Sequence, residues 1–508
     1  YLPPFRAAHD AGVATYMTSF NELDGVPASA NEHLLRDILR EEWGFRGFVV
    51  TDYTSINEMV PHGYARDDAH AGLLAAQAGV DMDMQGDVYH RFLADQVRSG
   101  QISEMVVNEA VRNILRMKAA LGLFDDPYRY SDTERQERYV FSDEHRAAAR
   151  DMARRSFVLL KNEAEALPLS AGDLSRLAVI GPLADSQADM LGAWHADGQA
   201  SECVTLLTGL RERLGRGVRV DYARGCSATD DNDADIAAAL RVARRADVIV
   251  LAVGEPAWMS GEAASRSELD LPGKQEELVA ALSALGKPLV VVLFNGRPLA
   301  IPGVIDAADA VLEAWYPGTE AGRAVTDVLF GDYNPAGKLP VTFPRSVGQV
   351  PIFYAAKNTG RPMDPNNKYT SKYLDVPNTP LFPFGYGLSY TSFTFSELAV
   401  DKTSFAPHES VRVSVTVTNT GDRAGEEVVQ LYVRDLVGSA TRPLRELKAF
   451  SKVELAPGAS TRLTFTLDVN DLAFYTQSGE WAAEPGDFEV FVGGSSEADL
   501  STTFTLTE

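Results

Sequence analysis

The sequence predicts an α/β protein of several domains closed by an all-β domain, and three observations predict it. At 508 residues the chain exceeds what one core holds, and a length-based prior gives about three domains. Short apolar runs alternate with helical stretches as far as about residue 344. Beyond about residue 395 the hydrophobic period drops to two.

Residues 1–127 read as strand and helix in alternation. Val13 to Phe20 reads as a short apolar strand, Asn31 to Trp43 as a helix with Leu34, Leu35, Ile38 and Leu39 on one face, and Gly47 to Thr51 as the next strand. A further helix from about Arg66 leads to Gly79-Val80-Asp81-Met82-Asp83-Met84, with two more helices after it. Such βαβ succession implies parallel strands. Three strands cannot close a barrel of eight, so the segment is expected to be the C-terminal part of a (β/α)8 TIM barrel. Residues 128–149 are expected to form a linker to the second domain.

Residues 150–344 read as an open α/β sandwich. Buried strands are expected at Phe157–Leu160, Leu177–Ile180, Val218–Tyr222, Val248–Val253, Leu289–Phe294 and Ala310–Ala314, and ligands to such a sheet sit beyond the carboxyl ends of its strands. Residues 345–394, with much Pro, Asn, Gly and Tyr, are expected to form a connecting loop whose aromatics pack. In residues 395–508 the stretches Val411–Val417, Val428–Val433, Arg462–Leu467 and Phe488–Val492 alternate, with turn signals at Asn419-Thr420-Gly421 and Pro457-Gly458. That is a β-sandwich of immunoglobulin or fibronectin type III kind, without a catalytic constellation.

Composition removes several function classes. The net charge of −24 is spread along the chain and argues against a nucleic-acid partner, while a neutral ligand is indifferent to it. The longest apolar run, Leu289–Phe294, is far short of the roughly 20 residues of a spanning helix, so no membrane partner is expected. Cys203 and Cys226 are the only cysteines, and no CxxC or His/Cys cluster suggests a metal; buried thiols are favoured over a single bridge. The chain opens at Tyr1-Leu2-Pro3-Pro4 with no targeting segment in view, which does not assign a compartment.

Asp52 carries the most chemistry, because it ends the apolar run Gly47-Phe48-Val49-Val50-Thr51 where a strand empties into a loop. The alternative is an Asp that caps the next helix through an amide two or three residues on. A second carboxylate, Glu262, stands in a Gly- and Ser-rich loop after another apolar strand and tips the balance towards catalysis.

Five segments resemble glycoside hydrolase family 3: Gly47-Phe48-Val49-Val50-Thr51-Asp52, Gly261-Glu262-Ala263-Ala264-Ser265-Arg266, Asn295-Gly296-Arg297-Pro298-Leu299, Gly331-Asp332-Tyr333-Asn334-Pro335-Ala336-Gly337-Lys338-Leu339-Pro340 and Phe384-Gly385-Tyr386-Gly387-Leu388-Ser389-Tyr390-Thr391. They run in one order from end to end, and the likeness is to the bacterial periplasmic β-glucosidase type. The resemblance implies barrel, α/β sandwich and fibronectin type III-like domains, a retaining exo-acting β-glucosidase, no cofactor, and a periplasmic or secreted location. It makes Asp52 the nucleophile and Glu262 the acid/base, two carboxyl groups that a retaining enzyme holds about 5 to 5.5 Å apart, with domain docking expected to set the separation. Residues that grip the sugar in the family would precede Tyr1, so a missing N-terminal barrel segment or a second chain is expected to be needed for activity, and a homodimer is compatible with that.

The same resemblance places Met17 and Phe20 on the wall of the sugar site, with barrel packing as the alternative for Phe20, and makes Tyr53 a tuner of substrate choice. Trp258, with Met259, is expected to face the aglycone or next sugar, since a sugar ring suits an indole face. Arg266 is expected either to orient Glu262 or touch the sugar, or to pair with Glu268 or Asp270. Asp81 and Asp83 are expected to hydrogen-bond the barrel rim. The competing functions are a β-xylosidase or β-galactosidase with the same mechanism, and a non-catalytic carbohydrate-binding protein.

Overall fold

Apolar runs flanked by helices become mostly parallel strands in the α/β part of the computed structural model, which describes residues 1–230 and 236–508. The chain divides into two units, Tyr1–Val140 and Phe141–Glu508. In the first, Thr15–Thr18 pairs in parallel with Phe48–Thr51 in the register Met17 to Val50 and Thr18 to Thr51. Val50 makes a further parallel bridge to Met82, so the third expected strand is a single bridge. The side chains of both neighbouring aspartates are held by hydrogen bonds within this unit. Asp81 is buried and accepts from Arg40, from the Val49 amide at 2.7 Å and from Asn113 at 3.0 Å. Asp83 accepts from the Val88 and Tyr89 amides at 2.7 and 3.3 Å and so caps the helix Val88–Arg98.

Two helices of this unit bury apolar or small residues in its core. His33–Glu42 turns Leu35 and Leu39 inward; its end is wound in the wide register, with the Trp43 amide bonded to the Ile38 carbonyl at 2.9 Å. Asp68–Ala78 starts at Asp67, whose side chain accepts from the His70 amide at 2.8 Å, and stops at Gly79, whose φ of 101° suits only glycine. Residues 128–149, expected as a linker, carry the helix Thr133–Tyr139 and the start of Asp143–Ser156.

The second unit is built on a six-stranded sheet in the order Val158–Asn162, Ala310–Glu313, Leu289–Phe294, Val248–Gly254, Arg176–Ile180, Arg219–Ala223. All pairings are parallel except the one at the edge strand Val158–Asn162. Val248–Gly254 and Leu289–Phe294 are buried along their whole length, so they read as unbroken apolar runs. Their residues divide between two cores: Val250, Ala252, Val290 and Val292 on one face, Ile249, Leu251, Val291 and Leu293 on the other. Cys203 lies in the first core and Cys226 in the second, on opposite faces of the sheet, and both are buried.

The C-terminal part is a sandwich of a three-stranded sheet, Phe393–Val400, Ser410–Asn419 and Ser460–Asp468, and a five-stranded sheet centred on Gly425–Asp435 and Gly486–Gly493. Burial alternates along Ser410–Asn419, with Val411, Val413, Val415 and Val417 inward. The segment before the sandwich is stitched to the α/β layer. The Leu381 amide donates to Phe343 O at 2.8 Å, Gly385 to Leu339 O at 2.8 Å and Leu388 to Leu159 O at 2.9 Å. Tyr354 stacks on Phe384 with ring centres 4.4 Å apart, and Lys338 pairs with Glu427 of the sandwich at 2.8 Å.

Candidate active site

Asp52 stands one residue past the strand Phe48–Thr51 in the first unit. Its amide donates to Thr18 O at 3.2 Å, which extends the strand pairing by one bond and sets the direction in which the side chain leaves. Its carboxylate accepts from the adjacent Tyr53 amide at 2.7 Å and from no amide two or three residues on, so it does not cap a helix. Buried hydroxyls brace the turn: Thr18 and Ser29 lie 2.7 Å apart, and Ser29 and Ser55 2.8 Å apart. Thr51 Oγ1 accepts from the Met84 amide at 2.8 Å, and the Thr54 amide donates to Met84 O at 2.9 Å. Asp52 is thus a half-buried carboxylate on a rigid strand end.

Met17 and Tyr53 flank this strand end with 53% and 58% of their surface exposed, unusual for a large apolar side chain on or beside a strand. Phe20, expected on the preceding strand, lies two residues beyond its end at Thr18. It is half-buried and outside the hydrophobic core of the unit, and its carbonyl lies 3.1 Å from His62 Nε2.

Glu262 belongs to the second unit, on the loop that leaves the strand Val248–Gly254. Ala257–Met259 forms one tight helical turn, after which Gly261 and Ala263 take φ of 99° and 55° and throw Glu262 outward between them. A Cβ on Gly261 would stand 2.8 Å from Ala193 Cβ, so glycine also allows the loop to lie against the segment of Trp194. Glu262 is exposed and has no hydrogen-bond partner among the described residues. Two exposed indoles stand near this tip: Trp258, four residues before Glu262 and 70% exposed, and Trp194, 77% exposed beside Gly261.

Arg266 does not reach Glu262. It donates to Asp270 O and Oδ1 at 2.9 and 3.0 Å and to Glu255 Oε1 at 2.9 Å. Asp270 is one of the two partners the sequence suggested, and Glu255 is the residue that sequence reasoning missed. Its carboxylate is wholly buried and held by two arginines, Arg266 and Arg297. Arg297 also donates to the carbonyls of Met259 and Ala264, the latter at 2.8 Å. Beside this group Glu313 is equally buried, accepting from the Trp315 amide at 3.0 Å and from Asn295 at 3.1 Å. Burial pushes the Glu313 carboxyl up to about 8; the two donated bonds oppose this, and the charge of Glu255 adds to it. The signal that finds Asp52 also finds these residues: Glu255 and Asn295 each come directly after a fully buried strand, and Glu313 ends one.

Residues 1–117 match the glycosyl hydrolase family 3 N terminal domain, 157–390 the glycosyl hydrolase family 3 C-terminal domain, and 427–496 a fibronectin type III-like domain. The chain is 44% identical over 531 residues to the periplasmic beta-glucosidase of Salmonella typhimurium, covering all of this chain and 69% of that protein. It is 40% identical over 520 residues to a beta-xylosidase of Formosa agariphila, covering all of this chain and 71% of the relative. Among solved structures, beta-glucosidase from Listeria innocua in complex with isofagomine superposes with a TM-score of 0.94 at 40% identity, over 100% of this chain and 70% of that one. The barrel-type first unit, the α/β sandwich and the β-sandwich thus coincide with the domains of one enzyme family, and the chain belongs to glycosyl hydrolase family 3.

Proposed function

We propose that the protein is a retaining, exo-acting β-glucosidase in which Asp52 is the nucleophile and Glu262 the acid/base. The observation that carries this reading is that neither carboxylate has structural work: Asp52 accepts one bond from its neighbour, and Glu262 accepts none from any described residue. In the first step the Asp52 carboxylate forms a bond to the anomeric carbon while the glycosidic C–O bond breaks, and the departing oxygen takes the proton of Glu262. In the second step Glu262 takes a proton from water, whose oxygen displaces Asp52 from the sugar and regenerates both groups. Met17, Phe20 and Tyr53 wall the sugar in this reading, and Trp258 faces the leaving group.

Glucose is the proposed sugar because the Salmonella and Listeria relatives are named beta-glucosidases, and terminal glucosyl residues of cello-oligosaccharides and aryl glucosides are the proposed substrates. Xylose is the second reading, supported by the 40% identical beta-xylosidase. A periplasmic or secreted location is proposed with it, since the Salmonella relative is named periplasmic; no described helix is long and apolar enough to cross a membrane. The test is a 2-deoxy-2-fluoroglucoside with an acidic phenol as leaving group, which traps the intermediate. Peptide mass spectrometry should find one added sugar on the peptide of Asp52; a label on another carboxylate, or none with rapid turnover of the parent glucoside, refutes the nucleophile. A kcat/KM ratio of nitrophenyl glucoside to xyloside of roughly tenfold or more is expected, and the inverse ratio makes it a xylosidase.

A further inference from the structure

We propose that the turn Asn295-Gly296-Arg297, directly after the strand Leu289–Phe294, is the seat that sets the position of Glu262, with Arg297 as its positioning residue. This rests on Glu262 being the acid/base. Because Glu262 has no side-chain partner among the described residues, its carboxyl is placed by the backbone of its loop alone. That backbone is tied on both sides of Glu262 to one guanidinium: Arg297 Nη2 donates to Met259 O and to Ala264 O, the latter at 2.8 Å. The four residues between these carbonyls form the tip, and their two left-handed positions turn the chain tightly enough to close on a single donor group.

The guanidinium is itself fixed from below. Its Nε lies 3.1 and 3.0 Å from the two oxygens of Glu255, whose carboxylate is fully buried and also accepts from Arg266 at 2.9 Å. Glu255 O and Pro256 O accept from Tyr316 Oη at 3.1 and 3.3 Å, which anchors the loop where it leaves the sheet. Gly296 completes the seat. A Cβ there would overlap Ser260 Oγ and stand 2.9 Å from Ser260 Cβ, so the turn touches the tip directly and glycine leaves room for the Ser260 side chain. The rigid element is therefore the sheet, and its geometry passes to Glu262 through a planar fork that grips one carboxylate and two carbonyls at once.

A purely structural Arg297 would exist to neutralise Glu255, and lysine would serve that need. Lysine cannot bridge the carboxylate and both carbonyls, because its ammonium is a single point on a flexible stem. In the full-length protein, Arg297→Lys should therefore keep its Tm near that of the parent while losing kcat/KM, which reports the first step alone, on phenyl β-glucoside by roughly 10- to 100-fold, the scale of a misplaced catalytic group. On 2,4-dinitrophenyl β-glucoside, whose leaving group needs no proton, the loss should stay within about threefold. Gly296→Ala, which keeps every ion pair and pushes on Ser260, should show the same substrate pattern at smaller size, and it carries the test if Arg297→Lys does not fold. Equal losses on both glucosides, or no loss on either, overturn the seat. Glu262→Ala is measured alongside: if it fails to discriminate between the two leaving groups, the acid/base reading falls first, and the two failures are told apart.

Discussion

Asp52 and Glu262 are held in opposite ways. Asp52 comes directly off a strand, with its amide still in the strand's hydrogen-bond pattern and three buried hydroxyls bracing the turn behind it. Glu262 stands well beyond its strand, at the tip of a loop that stays in place through ion pairs beneath it. The contrast fits the proposed chemistry. A nucleophile must meet one carbon along one line and gains from a stiff mount. An acid/base acts on a leaving oxygen and later on water, so a loop serves it if the loop is pinned.

The largest effect should come from the stiffly mounted group. Asp52→Ala removes the atom proposed to form the intermediate, and kcat on every glucoside should fall by roughly 10⁴-fold or more, as for other covalent nucleophiles. Activity that survives on any aryl glucoside at near-parent rates removes Asp52 from the mechanism. Glu262→Ala should cost roughly 10² to 10⁴ in kcat/KM with a poor leaving group and little in kcat/KM with an acidic phenol, whose turnover then waits on the slowed second step. Azide should then enter in place of water and give the β-glycosyl azide; an α-configured product contradicts the assignment.

The smallest effect concerns the buried carboxyl beneath the loop. The Glu313 carboxyl is held at about 8 in the folded protein against an ordinary value of 4.5, so the folded state binds a proton that the unfolded chain has released between those values. Stability from this residue is full below about pH 4.5 and declines as the pH rises through about 8. Glu313→Gln should abolish that decline, at a cost of about 1 kcal/mol at low pH because the amide nitrogen cannot accept the bond its oxygen received. Denaturant melts at about pH 5, 7 and 9, on either side of that titration, decide it: a variant with the parent's pH slope shows that some other group titrates.

Much of this architecture is legible in the sequence because two hydrophobic periods are hard to confuse. Unbroken runs such as Val248–Gly254 announce a sheet covered on both faces, and the alternation along Ser410–Asn419 announces a half-buried one. Phe393–Val400, whose alternation changes phase at a register shift between Ser396 and Ala399, and Glu446–Leu455, half-buried on both faces over its first residues, give a weaker signal. Of the two proposed catalytic residues, the sequence singles out Asp52 because a carboxylate after an apolar run contradicts its surroundings, and Glu262 through its motif. Glu255 obeys the same rule as Asp52, yet its role depends on Arg266 and Arg297, which lie 11 and 42 positions along the chain and leave no local mark beside it. For Arg266 the sequence offers partners among its near neighbours, whereas folding also delivers it a buried carboxylate that sequence distance hides.

The stitching of the segment before the β-sandwich has a consequence for what a cut chain would be. Residues 361–369 are exposed throughout, yet the chain on their far side returns to bond Phe343, Leu339 and Leu159 on the near side. A protease that nicks this stretch therefore makes two polypeptides without making two particles. The pieces should part as separate bands on a denaturing gel and travel as one peak through a sizing column, one covalent chain converted into two pieces held without a covalent bond by the loss of a single peptide bond.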